Sequence, residues 1–386
     1  MSTAAETEKV SKGLEGVIVA STRLSKVDGI AGRLYYRGYS IDDLAQNATF
    51  EEVAYLLWYG HLPTQLELAQ SNRYLTEHRC TLLTELIDQM RRSPAGAVPM
   101  AVLRCAVSFL GHYDLDAENR SREATLQKAY ILTSQFATAI AAFDRIRKGL
   151  KPIMPRQDLS HAANFLYMLT GEEPSEIASR ALDTYLILLA DHGFNASTFA
   201  ARVTASTLSD LYSAITSAVG TLKGPLHGAA NEGAMEQFME IGSVENVKPW
   251  FEKAKAEKRR IMGIGHRVYK VFDPRGRLLR HMAIELNQVA KEKRWLEIAL
   301  KLEQVAEVDP YFNERRLYPN VDYYSAPVLY TLGIAVDLFP AIFAMARVVG
   351  WTAHVMEQWE DNRLIRPTED YIGPLDLPWI PLDKRG

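Results

Sequence analysis

Residues 49–60 read TFEEVAYLLWYG. The Thr49 side chain can accept from the backbone N–H of Glu52, whose carboxylate can reach back to the N–H of Thr49; this is a capping box. The apolar run after it stops at Gly60, a residue that ends helices. Thr64 to Glu67 repeats the pattern and starts a second helix. Further helices are predicted over 122–148, closed by Gly149, and over 174–191, 197–219, 244–257, 278–305 and 340–360. Pro174 and Pro340 suit a first helical turn, where a missing N–H costs nothing. Strand signals are sparse. Residues 16–36 alternate apolar and polar around Asp28-Gly29, a hairpin dipeptide. The expected fold class is all-α with one small N-terminal β-hairpin.

The chain has 386 residues, enough for a large core and two domains. Hydrophobic residues make up 47% and charged residues 24%, as in ordinary globular proteins. A net charge of -3 gives no bulk attraction to nucleic acid. Cys80 and Cys105 form no disulfide framework and no CxxC pair, which points to a reducing compartment. The opening residues MSTAAETEKVSKG lack an apolar h-region, so no secretory signal is expected. The most apolar stretch, 328–346, is interrupted by Asp337 and Pro340 and reads as a buried helix pair rather than a membrane span. The expected location is the cytoplasm.

Three histidines sit in turn-rich motifs far apart in sequence. His192 opens HGFNAST, His227 lies in KGPLHGAANEG, and His266 lies in GIGHRVYKVFDPRGR. Asp322 lies in YPNVDYYSAPVLY. Histidine exchanges protons near neutral pH, and loops held by rigid helices often carry function. Taken singly, each has a plainer reading. His192 could cap helix carbonyls. Asp322 could bond nearby backbone in a turn. Arg275 could pair with Asp273. Arg347, in the apolar run AIFAMARVVGW, needs a carboxylate from protein or ligand. The GIG of residues 263–265 lacks the third glycine and the βαβ setting of a dinucleotide site, but its backbone can approach a ligand closely. The basic run Lys258-Arg259-Arg260 reads as a solvated face or, more weakly, a phosphate contact. A metal is not expected, because neither HExxH nor a close ligand pair is present. His61, His78, His112, His161, His281 and His354 have no motif around them and read as structural or surface residues.

In their order and wording these motifs resemble the citrate synthase family, from GLEGVIVASTRLS at Gly13 to RLIRPTEDYIG. The resemblance implies a two-domain helical fold, with residues 1–222 and 328–386 as the large domain and 223–327 as the small one. It implies condensation of acetyl-CoA with oxaloacetate and hydrolysis of citryl-CoA to citrate. His192, Arg275, Arg347 and Arg366 would bind oxaloacetate, with Arg366 reaching a neighbouring subunit. His266 would polarise the ketone, His227 would stabilise the enol of acetyl-CoA, and Asp322 would be the base. Lys270, with Gly263 and Gly265, would meet coenzyme A. Coenzyme A is a cosubstrate, and no cofactor or metal is implied. Gly193 departs from the glutamate that many members carry after the first histidine. The short lead before GLEG resembles compact, dimer-forming members rather than NADH-inhibited hexamers. Two alternatives stay open: 2-methylcitrate synthase, using propionyl-CoA, and a non-catalytic dicarboxylate-binding paralogue. The latter would be expected to lack Asp322 or His227.

Overall fold

The computed structural model describes residues 10–81, 84–94, 96–266 and 268–385. Strands β1 (Ser25–Asp28), β2 (Arg33–Tyr36) and β3 (Tyr39–Ser40) form an antiparallel sheet in the order β1-β2-β3. Its register pairs Ser25 with Tyr36 and Tyr36 with Tyr39. The rest is helical: α1 (Ile41–Asn47), α2 (Phe50–Tyr59), α3 (Gln65–Arg79), α4 (Thr84–Arg91), α5 (Pro99–Tyr113), α6 (Arg122–Arg147), α7 (His161–Thr170), α8 (Glu176–Leu189) and α9 (Ala196–Ser206). After these come α10 (Leu211–Leu222), α11 (Ala230–Ile241), α12 (Val247–Ala256), α13 (Pro274–Val289), α14 (Arg294–Glu307), α15 (Pro310–Glu314), α16 (Val321–Thr331) and α17 (Phe339–Glu360). The all-α reading therefore holds, with a three-stranded sheet where a hairpin was expected.

Local chemistry explains the boundaries. Both capping boxes form: Thr49 with Glu52 opens α2 and Thr64 with Glu67 opens α3. Gly60 ends α2 in the left-handed region at φ 91°. Two helices predicted as continuous are each split. The 197–219 span breaks between α9 and α10, where Leu208 turns left-handed (φ 62°) and Asp210 caps the second helix. The 278–305 span breaks between α13 and α14. Their buried faces continue across the gap, so hydrophobic periodicity alone could not reveal it. Pro340 does sit in the first turn of α17, whereas Pro174 precedes Ser175, the N-cap of α8.

Helix α17 runs through the core against α2, α6, α8, α9 and α10. On length and composition alone it could cross a membrane, but its apolar window is wholly buried inside the fold. Helices α11, α13, α14 and α16 pack on one another, and α13 also meets α8. Cys80 and Cys105 are free thiols.

A buried polar group links α2, α3 and α7. The Glu51 carboxylate accepts from the backbone N–H of His161 at 2.6 Å, and both His161 ring nitrogens lack partners. Burial, then the charge of Arg79, pushes His161 down to about 3. Its folded value lies below its unfolded one, so the stability it contributes is present above pH ~6.5 and lost as pH falls toward 3. His161→Phe keeps a ring against Phe50, whose centroid is 5.3 Å away. At pH 5 the variant should gain about 2 kcal/mol on wild type relative to their difference at pH 8. Denaturant midpoints at the two pH values check this, and parallel pH curves would contradict it.

Candidate active site

Four segments carry the candidate residues, and two of them, the α8–α9 and α10–α11 turns, rest on α17. The first is the α8–α9 turn. Asn195 caps α9 by accepting from the Thr198 N–H at 3.2 Å. That leaves residues 191–194 as a tight turn with His192 at its apex. Gly193 sits at φ 58° and donates its N–H to Ser25 Oγ at 3.0 Å, so β1 holds the turn from below. A side chain here would have to adopt the left-handed region, which is a local reason for glycine in this chain. Asp191 is fully buried. Burial opposes its ionisation, but His354, Arg347 and Ser25 outweigh that and hold its carboxyl below the usual range.

The second segment is the turn between α10 and α11. His227 Nε2 accepts from the Ser197 backbone N–H at 3.2 Å and lies 2.8 Å from Ser197 Oγ. A ring nitrogen that accepts from an amide carries no proton, so the neutral ring bears its proton on Nδ1. Ser197 Oγ also accepts from Trp351 Nε1 at 3.1 Å, which fixes the hydroxyl. Burial first, then Arg347, pushes His227 down to about 4.

The third segment is the 263–273 loop. His266 Nδ1 accepts from the backbone N–H groups of Val268 (3.1 Å) and Tyr269 (3.0 Å). Its proton is thereby placed on Nε2, the reverse of His227. Burial, then Arg275, pushes His266 down to about 4. The His192 and His266 rings meet edge to face at 5.7 Å, and His192 Nε2 lies 3.2 Å from the Tyr269 hydroxyl. Burial, Arg275 and the neighbouring histidines hold His192 well below its ordinary value. All three histidines are therefore neutral at pH 7.

The fourth segment is the start of α16. Asn320 caps it by accepting from the Asp322 N–H at 2.9 Å. Among the described residues the Asp322 carboxylate has no hydrogen-bond partner, and it is the backbone N–H of Asp322, not its carboxylate, that serves the turn. It keeps some solvent contact, yet enough protein surrounds it that desolvation dominates. Burial pushes it up to about 7, and Arg275, Arg347 and Arg260 only partly offset this. Gly263 and Gly265 have a structural task here. Asn320 donates its N–H to Gly263 O and its Nδ2 to Gly265 O, both at 2.8 Å. A Cβ on Gly263 would lie 2.8 Å from Tyr323 Cα. The glycines thus let the His266 loop lie flat against the segment that carries Asp322.

The arginines differ. Arg275 is buried and forms a bidentate pair with Asp273, at 3.1 and 2.8 Å. Burial works against its charge, but Asp273 and Tyr269 more than restore it. Arg347 is 1% exposed; its Nε donates to Leu189 O at 2.6 Å and its Nη2 has no partner. Burial lowers it to about 10, so it stays charged. Arg366 is exposed on the extended C-terminal tail and makes no hydrogen bond or ion pair with these residues. Lys270 is exposed on the rim, and its charge reaches His266. In the basic run, Arg259 pairs with Glu240 at 2.6 Å. Among the described residues no group of His, Cys, Asp and Glu is arranged to hold a metal.

Sequence reasoning missed Tyr269, Asp191 and His354 and read Ser197 only as the start of a helix. Asp191 directly precedes His192, which was a usable signal. His354 had none, because its partners lie 163 and 152 positions away in sequence.

Two histidines with oppositely fixed protons, a desolvated carboxylate and a buried, half-unpaired arginine suit proton abstraction from carbon on an anionic substrate pair. Residues 13–368 match the family described as "Citrate synthase, C-terminal domain". The chain is 46% identical over 376 residues to citrate synthase 2 of Bacillus subtilis, covering 97% of this chain and 99% of that one. It is 42% identical over 369 residues to a 2-methylcitrate synthase of Mycobacterium tuberculosis, covering 95% and 92%. It superposes with a TM-score of 0.93, at 36% identity and covering 98% and 100%, on the citrate synthase of Thermoplasma acidophilum solved as a ternary complex with carboxymethyl coenzyme A and oxaloacetate. Motifs, helical fold and near-complete coverage agree, and the chain belongs to the citrate synthase family, an acyltransferase of the citrate (Si)-synthase type.

Proposed function

We propose that this chain condenses acetyl-CoA with oxaloacetate and hydrolyses the resulting citryl-CoA to citrate and coenzyme A. The observation that carries the reading is a desolvated Asp322 carboxylate, without a hydrogen bond among the described residues, in the same site as two neutral histidines whose protons sit on opposite ring nitrogens. Asp322 removes a methyl proton from acetyl-CoA. His227 donates its Nδ1–H to the thioester oxygen as negative charge develops there. The enol carbon attacks the ketone carbon of oxaloacetate, and His266 Nε2–H donates to the ketone oxygen. Water then attacks the thioester, the C–S bond breaks, and the thiol leaves with a proton. His192, Arg275 and Arg347 hold oxaloacetate, since a guanidinium fork matches a carboxylate.

Lys270, an exposed lysine, meets a coenzyme A phosphate. No metal or bound cofactor takes part. Residues 223–327 form a small domain that closes on the large domain, 1–222 with 328–386, and excludes water. The protein works in the cytoplasm as a homodimer in which Arg366 of the partner subunit completes each site. Mixed dimers test this last point. Asp322→Ala and Arg366→Ala homodimers should be nearly inactive, whereas random co-assembly should leave roughly a quarter of all sites intact. No recovery, with mixed dimers seen by mass spectrometry, would place Arg366 in its own subunit.

The similarity to a 2-methylcitrate synthase keeps propionyl-CoA in view as the second substrate. One methylene is worth about 1–3 kcal/mol in a pocket. Steady-state thiol release from acetyl-CoA and propionyl-CoA at fixed oxaloacetate should favour acetyl-CoA by roughly tenfold or more in kcat/KM. A preference for propionyl-CoA would transfer the reading to 2-methylcitrate.

A further inference from the structure

Leu189, Ala190 and Asp191 end α8 and lead into the His192 turn, and one face of α17 grips all three. Arg347, Gly350 and His354 stand at i, i+3 and i+7, a spacing that shares a helical face. Arg347 Nε donates to Leu189 O at 2.6 Å. Gly350 has no room for a Cβ, which would overlap Ala190 O and lie 2.7 Å from Asp191 Oδ1. His354 Nε2 donates to Asp191 Oδ1 at 3.1 Å. The other Asp191 oxygen accepts from Ser25 Oγ and from the Gly193 N–H. Behind His354, its Nδ1 lies 3.3 Å from Arg202 Nη1, and Arg202 in turn pairs with Glu357 at 2.9 Å. Asp191 and His354 are both fully buried.

We propose that Asp191 and His354 are a positioning pair for the oxaloacetate half of the site. They keep the turn bearing His192 in register with the helix bearing Arg347. The inference rests on the oxaloacetate reading above. A substrate held by two groups on separate elements needs them fixed to within about 0.5 Å. A buried carboxylate that must satisfy donors from β1, the turn and α17 at once tolerates only one arrangement, because any lost donor leaves it desolvated and unpaired. The grip on Leu189 O also occupies Arg347 Nε and leaves Nη2 for the ligand.

Oxaloacetate titrations by calorimetry on the full-length protein, paired with acetyl-CoA KM, test the pair. His354→Ala and Asp191→Asn should each raise the oxaloacetate Kd by about tenfold or more, the scale of a lost charged hydrogen bond. The acetyl-CoA KM should stay within about twofold, because uniform damage to the fold would move both constants. Glutamine at 354 can present an amide N–H where Nε2 stood, whereas asparagine reaches only the Nδ1 position. His354→Gln should therefore recover most of the affinity and His354→Asn should not. This comparison also decides the matter if the alanine variant fails to fold. Equal affinities for the glutamine and asparagine variants would overturn the pair. So would tighter oxaloacetate binding by Asp191→Asn, which is what a merely repulsive carboxylate near an anion predicts. Wild-type protein that binds no oxaloacetate would sink the reading beneath the pair; wild-type binding with unmoved variants would sink the pair alone.

Discussion

Asp322→Asn should lower turnover by about 10²–10⁴, the range for losing a general base. The substitution keeps the shape of the side chain and the Asn320 cap, which uses only the backbone N–H of residue 322. Oxaloacetate affinity should move by no more than a few-fold, because the carboxylate is assigned to the acetyl methyl group. Stability should move the other way. A carboxyl held at about 7 against its ordinary 3.8 costs the folded state stability once the unfolded chain ionises. The cost starts near pH 4, grows until about pH 7 and is constant above. Asparagine carries no such cost, so the variant should be more stable at pH 8 by on the order of 2–4 kcal/mol and equal to wild type near pH 4. Turnover, calorimetry and thermal melts at the two pH values check the three parts. A less stable variant at pH 8 would mean that the carboxylate is held by partners rather than desolvated.

Arg347→Gln should raise the oxaloacetate Kd about 100-fold or more, since two charge-assisted hydrogen bonds at roughly 1.5–3 kcal/mol each are at stake. Arg347→Lys keeps the charge but loses the fork, and should fall between. A second effect separates this residue from Arg275, which is already paired with Asp273. The charge of Arg347 lowers Asp322, His227 and His192 together. Removing it lets all three rise. The acid limb of kcat/KM for acetyl-CoA, which Asp322 places near pH 7 in wild type, should therefore move to higher pH in Arg347→Gln. An unmoved limb with weakened oxaloacetate binding would keep Arg347 as a substrate contact and remove it from the electrostatics of the base.

Much of this was legible before any coordinates. Capping boxes are local, so Thr49 and Thr64 announced their helices, and Pro340 marked a first turn. The four motif-bearing segments could be named because each is written in consecutive residues. What failed to show was anything set by tertiary contact. The breaks between α9 and α10 and between α13 and α14 preserve the apolar rhythm, so the sequence read through them. The protonation of His227 depends on Ser197, 30 residues earlier, and burial depresses it. Gly263 and Gly265 read as a loop able to approach a ligand; their hydrogen bonds to Tyr318 and Asn320, more than 50 residues on, had no local signal. His354 had no motif, yet it joins Asp191 to Arg202. The site's chemistry was readable as residues, but its electrostatics belong to the packing.

The most direct test of the account is thiol release from acetyl-CoA by purified wild-type protein, followed with and without oxaloacetate in the presence of a chelator. The account predicts release only when oxaloacetate is present, one citrate for each thiol, and a rate the chelator leaves unchanged. Release without oxaloacetate would mark a simple thioesterase, and no release under either condition would contradict the assignment of Asp322, His227 and His266.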